Sequence, residues 1–252
     1  MALIRMTLDH LTYHFSIKFL LLVSKIIKGL VLITGTTSGV GLNTIKPLLR
    51  FGWEVIAVNR SNKRAITIAQ QFLTINEIKN VHFIEIDLSD LDDVRKGCDE
   101  ILERFKTPIN SFICNAAVYK PRLKKPERSP QGFENSMAVN HFSHFLMINL
   151  LMENILSSER KIVLNGKSTI FKPRITVLGT VTANYSELGG RIPIPATADL
   201  GDLSGFKNGF LSPISMANGK NFKPGKAYKD SKLCNMVTVQ ELSKRYSAEK
   251  II

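Results

Sequence analysis

Gly29-Leu-Val-Leu-Ile-Thr34-Gly35-Thr-Thr-Ser38-Gly39-Val40-Gly41 is the stretch on which the reading of this chain turns. Its first half is a short apolar run with β-branched residues, the pattern of a strand buried on both faces. A glycine-rich turn closes it, and helical periodicity runs from Gly39 to Phe51. Strand, glycine turn and helix in that order make a cradle for a pyrophosphate. Gly35 permits the tight turn, Gly39 lets backbone approach the phosphates, and Gly41 allows close helix packing. The helix start adds free N–H groups and the positive end of its dipole. Thr37, Ser38 and Val40 complete the candidate cradle. Three glycines alone say little; their setting between strand and helix is what gives them weight.

Outward from this point the pattern repeats. Strands are expected at Trp53 to Asn59, Val81 to Ile86, Ile109 to Cys114 and Arg174 to Thr180. Helices are expected at Asn62 to Leu73, Leu91 to Phe105, Gln131 to Leu156 and Lys226 to Tyr246. Alternation of this kind implies parallel strands joined by right-handed crossovers. The expected fold class is therefore α/β, a Rossmann-type doubly wound parallel sheet in a three-layer α/β/α arrangement. One domain is expected over 30–252, with 1–29 as an extension of unclear role.

Composition fits a globular protein, with 44% hydrophobic and 22% charged residues among 252. Lys and Arg number 34 against 21 Asp and Glu, a net charge of +13. The excess gathers at Lys120 to Arg128, Arg160 to Arg174 and Lys220 to Lys232. Such runs attract nucleic acid, anionic lipid or acidic small molecules. No nucleic-acid module is present, so no nucleic-acid partner is expected. Solvated surface is the leading reading of these charges, and peripheral contact with anionic membrane lipid the second. Cys98, Cys114 and Cys234 form no C-x-x-C pair, so neither a metal site nor a disulfide framework is indicated, and a reducing compartment fits. The apolar run Phe19 to Val23 is flanked by Lys18, Lys25 and Lys28, short of the roughly 20 residues a membrane span needs. A signal peptide or a surface helix stays open for this segment; a non-catalytic extension is the favoured reading.

The end of the second strand reads Asn59-Arg60-Ser61-Asn62-Lys63-Arg64, with no acidic residue. An acid there would suit NAD, whereas Arg60 offers paired charge-assisted hydrogen bonds to the 2′-phosphate of NADP. Basic residues at a helix start oppose its dipole, a local cost that favours a binding role for Arg60 and Lys63. Asp87 and Leu88 close the third strand at the edge where dinucleotides lie; Asp87 or Ser89 serves equally well as a helix cap. Asn115-Ala116-Ala117 ends the fourth strand, with small residues that leave room for a ribose and an Asn able to tie strands together. Tyr228-Lys229-Asp230-Ser231-Lys232 places a phenol and an ammonium at i and i+4 on one helix face. A neighbouring ammonium favours the ionised phenol, which would bring Tyr228 into range for proton transfer.

In order, the glycine turn, Cys114-Asn-Ala-Ala117, Asn140 within the long helix and Tyr228 with Lys232 resemble the short-chain dehydrogenase/reductase family. The resemblance implies NADPH as cofactor, also held by Tyr228 and Lys232, and a catalytic set of Asn140, Thr180, Tyr228 and Lys232. Thr180 stands where that family usually has serine, and Asn140 would hold a water relay through Lys232. Thr180 and Tyr228 lie 48 positions apart, a far longer interval than is usual there. The interval contains Ala198-Asp-Leu-Gly-Asp-Leu203 and leads into Gly225-Lys-Ala-Tyr-Lys-Asp-Ser-Lys232, which look like the light-dependent protochlorophyllide reductases. That likeness implies light-driven reduction of the C17=C18 bond of protochlorophyllide, in chlorophyll biosynthesis. It further implies a peripheral place in a plastid or at a cyanobacterial thylakoid surface or cytoplasm, and leaves self-association open. The loop at 181–225 has seven glycines and four prolines yet carries Leu200, Leu203, Phe206, Phe210, Leu211 and Ile214. It reads as a binding loop or lid, and the likeness implies that it wraps the tetrapyrrole. Compared with that family the chain reads as a fragment lacking the last strands of the fold. Two other readings stand beside this one: a short-chain reductase acting on a lipid or retinoid carbonyl, and a non-catalytic NADPH- or pigment-binding protein.

Overall fold

The computed structural model describes residues 28–164, 167–180, 198–210, 216–247 and 250–252. The chain begins with β1 (Leu30–Thr34), α1 (Gly39–Arg50), β2 (Glu54–Asn59), α2 (Asn62–Phe72), a short α3 (Ile75–Ile78) and β3 (Val81–Glu85). It continues with α4 (Leu91–Arg104), β4 (Ile109–Cys114), α5 (Asn135–Met137), a π turn (Ala138–Phe142) and α6 (Ser143–Leu156). Then follow β5 (Arg160–Leu164), β6 (Lys167–Phe171), β7 (Arg174–Val177), α7 (Ser204–Lys207) and α8 (Pro224–Arg245).

Five parallel strands form the central sheet in the order β3-β2-β1-β4-β7. Alternation along β1 divides the core. Val31 and Ile33 face Ile45 and Leu49 of α1 and Ala69 of α2. Leu30 and Leu32 face the other layer, with Val94, Cys98 and Ile101 of α4 and Met147, Leu151 and Ile155 of α6. A strand buried on both faces has no polar side to show, which is why β1 reads as an apolar run. The doubly wound, three-layer expectation holds.

Two expectations need correction. The helical stretch predicted from Gln131 begins at Asn135, because the buried Glu134 carboxylate caps the backbone N–H groups of Ser136 (3.0 Å) and Met137 (2.9 Å). Gln131 instead accepts from the Leu91 N–H (3.3 Å) and donates to Asp90 (2.7 Å), pinning the 120–134 connection to the start of α4. Asp90, rather than Asp87 or Ser89, is the N-cap of α4. The basic run at Arg160 to Arg174 is largely exposed, as its reading as surface expects, and within it β5 and β6 pair as an antiparallel hairpin.

Gly41 has no room for a side chain. A Cβ there would stand 2.1 Å from the Gly35 carbonyl oxygen and 2.5 Å from the Asn115 amide, against backbone that cannot rotate away. Gly41→Ala is therefore expected to destabilise by about 1–3 kcal/mol, lowering Tm by about 2–4 °C for each kcal/mol. Gly179, whose added Cβ meets nothing within 4 Å, serves as the control for thermal melts. Equal Tm values for Gly41→Ala and Gly179→Ala would show that α1 can move away from the turn.

Candidate dinucleotide and proton-transfer site

Strand order reverses between β1 and β4, and the candidate residues collect at the carboxyl ends of the strands around that point. Thr34 ends β1, and its hydroxyl oxygen accepts the backbone N–H groups of Asn115 (3.0 Å) and Ala116 (2.9 Å). In return the Asn115 side chain donates to the carbonyls of Thr34 (2.8 Å) and Gly35 (2.9 Å). Asn59, predicted as a cofactor contact, is buried beneath the turn. It accepts from the Thr36 N–H (2.8 Å) and donates to the Thr36 hydroxyl (2.7 Å), so its side chain shapes the cradle from below.

The cradle fits a pyrophosphate on observations of its own. Ser38 is the N-cap of α1 yet makes no side-chain capping bond, and no acid stands in the first turn. Gly39 has φ +55°, a left-handed conformation, and a Cβ there would meet nothing within 4 Å. Unused N–H donors, an uncompensated dipole and open space coincide at Thr37 to Val40.

Arg60, Asp87 and Leu88 line one cavity of about 400 Å³ together with Ser89, Lys120 and Arg128. The Asp87 carboxylate is already engaged by the Ser89 N–H (2.9 Å) and hydroxyl (2.7 Å). One acid near Arg60 escapes a reading of residues 59–64. Glu85, opposite Asn59 in the β2–β3 register, accepts from the Asn62 N–H at 2.7 Å. It supplies the negative charge that the first turn of α2 lacks, so the dipole argument for Arg60 and Lys63 loses force. The β2–β3 pairing was the signal that could have found it. Arg60 and Lys63 themselves are exposed at the rim.

On α8, Tyr228 is half-buried, hydrogen-bonded to the Thr180 side chain, and its ring lies 4.8 Å from that of Tyr119. Lys232 is buried, with Nζ 5.9 Å from the centre of the Tyr228 ring and 2.7 Å from the Leu178 carbonyl. The structure thus brings Thr180, Tyr228 and Lys232 together but reverses the expected electrostatics. Burial pushes the Tyr228 phenol up; the Thr180 hydrogen bond opposes this, and Tyr119 adds to it. Burial also pushes the Lys232 ammonium down. Desolvation leads at both groups, and Lys232 donates to the Leu178 carbonyl. Asn140 is fully buried in the π turn. Its side chain accepts from the Val118 N–H (2.7 Å) and donates to Val118 O (3.1 Å) and Ser231 Oγ (3.0 Å).

Part of the long loop packs inward. Phe206 and Phe210 pack with Phe133 and Phe142, at ring separations of 4.8–6.3 Å, into a satellite core with Met137 and Cys234. Those rings are engaged inside the protein; Leu203 stays exposed, and Leu211 and Ile214 lie outside the described residues. A buried ion pair between Lys226 and Asp230 fastens the loop to α8. Asp230 accepts the Asp199 N–H (2.9 Å), Lys226 donates to the Asp199 carbonyl (2.5 Å), and Asn218 donates to the Asp199 carboxylate (2.8 Å).

A cradle at a switch point, a rim of arginine and lysine, and a phenol beside a buried ammonium define a nucleotide-binding α/β protein equipped for proton transfer. The chain belongs to the short chain dehydrogenase family, whose pattern it matches over residues 29–175. It is 40% identical over 224 residues to the chloroplastic protochlorophyllide reductase of Cucumis sativus, covering 88% of this chain and 52% of that protein. It is 37% identical over 222 residues to chloroplastic protochlorophyllide reductase A of Arabidopsis thaliana, covering 87% and 51%. The chain spans about half the length of the curated relatives it matches. Among solved structures it is similar in fold to an alcohol dehydrogenase from Thermococcus sibiricus complexed with 5-hydroxy-NADP. That match has a TM-score of 0.57 at 17% identity, over 87% of this chain and 72% of the other. A 3-ketoacyl-(acyl-carrier-protein) reductase from Brucella melitensis complexed with NADH matches with a TM-score of 0.57 at 18% identity, over 88% and 71%.

Removing one partner of the buried pair leaves the other charged and dry. Asp230→Ala is expected to cost about 3–5 kcal/mol and to expose 198–210 to early proteolysis, whereas Lys226 and Asp230 replaced together by Met and Leu should recover much of the loss. A wild-type melting curve and cleavage pattern for Asp230→Ala would remove the clamp.

Proposed function

We propose that this chain reduces the C17=C18 bond of protochlorophyllide to chlorophyllide, with NADPH as hydride donor and light as the driving force. The observation that carries this reading is its 35–40% identity, through 87–88% of the chain, with reductases of that name in eight plant sequences. The site geometry supports it. Thr37 to Gly41 hold the pyrophosphate, Arg60 and Lys63 the 2′-phosphate, and Asp87 and Leu88 border the adenine. Asn115 to Ala117 leave room for the ribose that Lys232 and Tyr228 orient.

NADPH, when bound, supplies a hydride for C17; a proton delivered to C18 completes the addition of two electrons and two hydrogens. Tyr228 is the proton donor. Burial keeps its phenol protonated, and the Thr180 hydroxyl fixes its direction. The bond to be reduced is conjugated with the macrocycle, so no single oxyanion develops for the site's donors to stabilise. Excitation makes the ring carbon electrophilic, and the protein's task is to hold both reactants in register beforehand. Mixing the protein with NADPH and protochlorophyllide should leave the pigment spectrum stable in darkness and shift it to the red after a flash. Tyr228→Phe should slow conversion by about 10²–10⁴. Arg60→Ala should weaken NADPH by roughly ten- to a hundredfold and leave NADH unchanged. Reduction in darkness, or rapid turnover of a simple carbonyl, would assign the chain to another short-chain reductase. Cofactor binding without any turnover would make it a binding protein.

The β5–β6 hairpin supports peripheral contact with anionic lipid. Lys161 and Val163 share its outer face with Ile170, Val163 and Ile170 being 60% and 48% exposed, and Arg160, Lys167, Lys172 and Arg174 surround them. No helix among the described residues is long and apolar enough to cross a membrane. Vesicles with anionic lipid should sediment the wild type at low salt but not Lys161→Glu/Lys167→Glu; equal sedimentation of both would end this reading.

A further inference from the structure

His144 was not among the residues singled out from sequence, yet it sits where the cradle meets the proton-transfer helix. It is buried, four residues after Asn140, with Nε2 2.8 Å from the Thr34 hydroxyl and Nδ1 3.1 Å from the Asn140 carbonyl. Proton counting fixes its state. The Thr34 oxygen already accepts two N–H groups, from Asn115 and Ala116, so both lone pairs are engaged and its single proton must go to His144. Nε2 is then an acceptor without a hydrogen, and Nδ1–H donates to Asn140.

We propose that His144 is a positioning residue that couples the dinucleotide cradle to the helix bearing Tyr228, and that it does so only as the neutral Nδ1–H tautomer. The inference rests on the cofactor site described above. From Thr34 the bonds run through His144 to the Asn140 carbonyl, which also accepts from Asn235 (3.0 Å). They continue through the Asn140 side chain to Ser231, whose hydroxyl donates to the Tyr228 carbonyl at 2.7 Å. A carbonyl that accepts two side-chain donors in this way occurs here in a π turn, a form of helix frequent at functional sites.

Charge around the ring favours the neutral form. Lys232 on α8 and His141 on the π turn both face it and oppose a second proton, while the Asn140 carbonyl alone favours one. On β1 its neighbour is the uncharged Thr34. Burial holds the ring at about 4, below the ordinary 6.5. The sign follows: the bound network is intact above pH 6.5 and is lost as pH falls toward 4. A protonated ring would aim Nε2–H at the Thr34 proton and release the N–H groups of Asn115 and Ala116.

Two measurements test this on the full chain. Side-chain 15N spectra of histidine-labelled protein, assigned with His144→Phe, should give the Nδ1–H tautomer at pH 7 and no imidazolium at pH 5.5. NADP⁺ affinity, read by calorimetry at a temperature where every variant is folded, should fall about tenfold in His144→Phe, the loss expected for one buried hydrogen bond. His144→Gln, which returns an acceptor near the Nε2 position, should stay within about threefold of wild type. Between pH 6.5 and 4.5 the wild type should lose affinity relative to His144→Gln, a comparison that cancels titration of the ligand phosphate. An Nε2–H tautomer, or equal affinity in His144→Phe and wild type, overturns the coupling and leaves the cofactor site standing. A wild type that does not bind NADP⁺ overturns the cofactor site and the coupling with it. If His144→Phe does not fold, the tautomer and the His144→Gln comparison decide alone.

Discussion

Where a parallel sheet reverses its order, two neighbouring strands send their chains to opposite faces, and the last backbone groups between them lose their ladder partners. In this protein that point lies between Thr34 of β1 and Asn115 after β4. Thr34 Oγ takes up the N–H groups of Asn115, which also reaches the Ile113 carbonyl (3.0 Å), and of Ala116, and the Asn115 amide takes up two carbonyls of the departing turn. A buried N–H left unpaired costs about 1–3 kcal/mol, so these bonds help to hold the cleft open. Everything the cradle offers to a ligand depends on them. Gly35 and Gly41 follow from the same constraint, since side chains there would enter the space that Ala116 and the Gly35 carbonyl occupy.

The first half of α8 shows what such a cleft costs in charge. Lys226, Lys229, Asp230 and Lys232 are all buried within one turn and a half. Burial of this kind is unfavourable unless each charge meets a partner or a dipole. Asp230 and Lys226 meet each other and the Asp199 backbone, and Lys232 meets the Leu178 carbonyl. The clamp at Asp199 therefore does two things: it satisfies the ion pair and anchors the 198–210 segment beside Tyr228. Burial raises the Asp230 carboxyl against the pull of Lys226, a sign that the site is dry.

How far the sequence carried depended on whether an element's pattern was local. β1 was legible because a parallel strand covered on both faces is almost wholly apolar, and β2 because its centre, Val55 to Val58, is too. The glycine turn and the Tyr228–Lys232 spacing were legible for the same reason, being short motifs with one structural setting. The hairpin was less legible, since Asn165-Gly166 between two β-branched runs is a hairpin signal while the lysines around it read equally as solvated surface. Phe206 and Phe210 read as lid residues because nothing in the sequence reveals that Phe133 and Phe142, some 70 positions earlier, pack against them. Roles set by long-range partners were the least legible. Asn140, Asn59 and His144 each depend on bonds to residues between 22 and 110 positions away. Polar residue types mark such places but do not say which partner they will meet.

The electrostatics of Tyr228 bear on the direction of chemistry. An ionised phenol is suited to removing a proton, as an alcohol oxidation needs, whereas a neutral phenol is suited to giving one. In this site the half-buried ring, the adjacent Tyr119 and the engagement of Lys232 with Leu178 all keep the proton on oxygen. Thr180 is the one neighbour that favours the anion, and its hydrogen bond is outweighed. For Lys232 to shift the balance it would have to leave the Leu178 carbonyl for the phenol or a ligand hydroxyl. A ribose placed between Lys232 and Tyr228 would offer that choice, drawing the ammonium toward the phenol only once the site is filled. The resting site is thus biased toward donation, which accords with a reductase, and its readiness for proton transfer becomes a property of the occupied cleft.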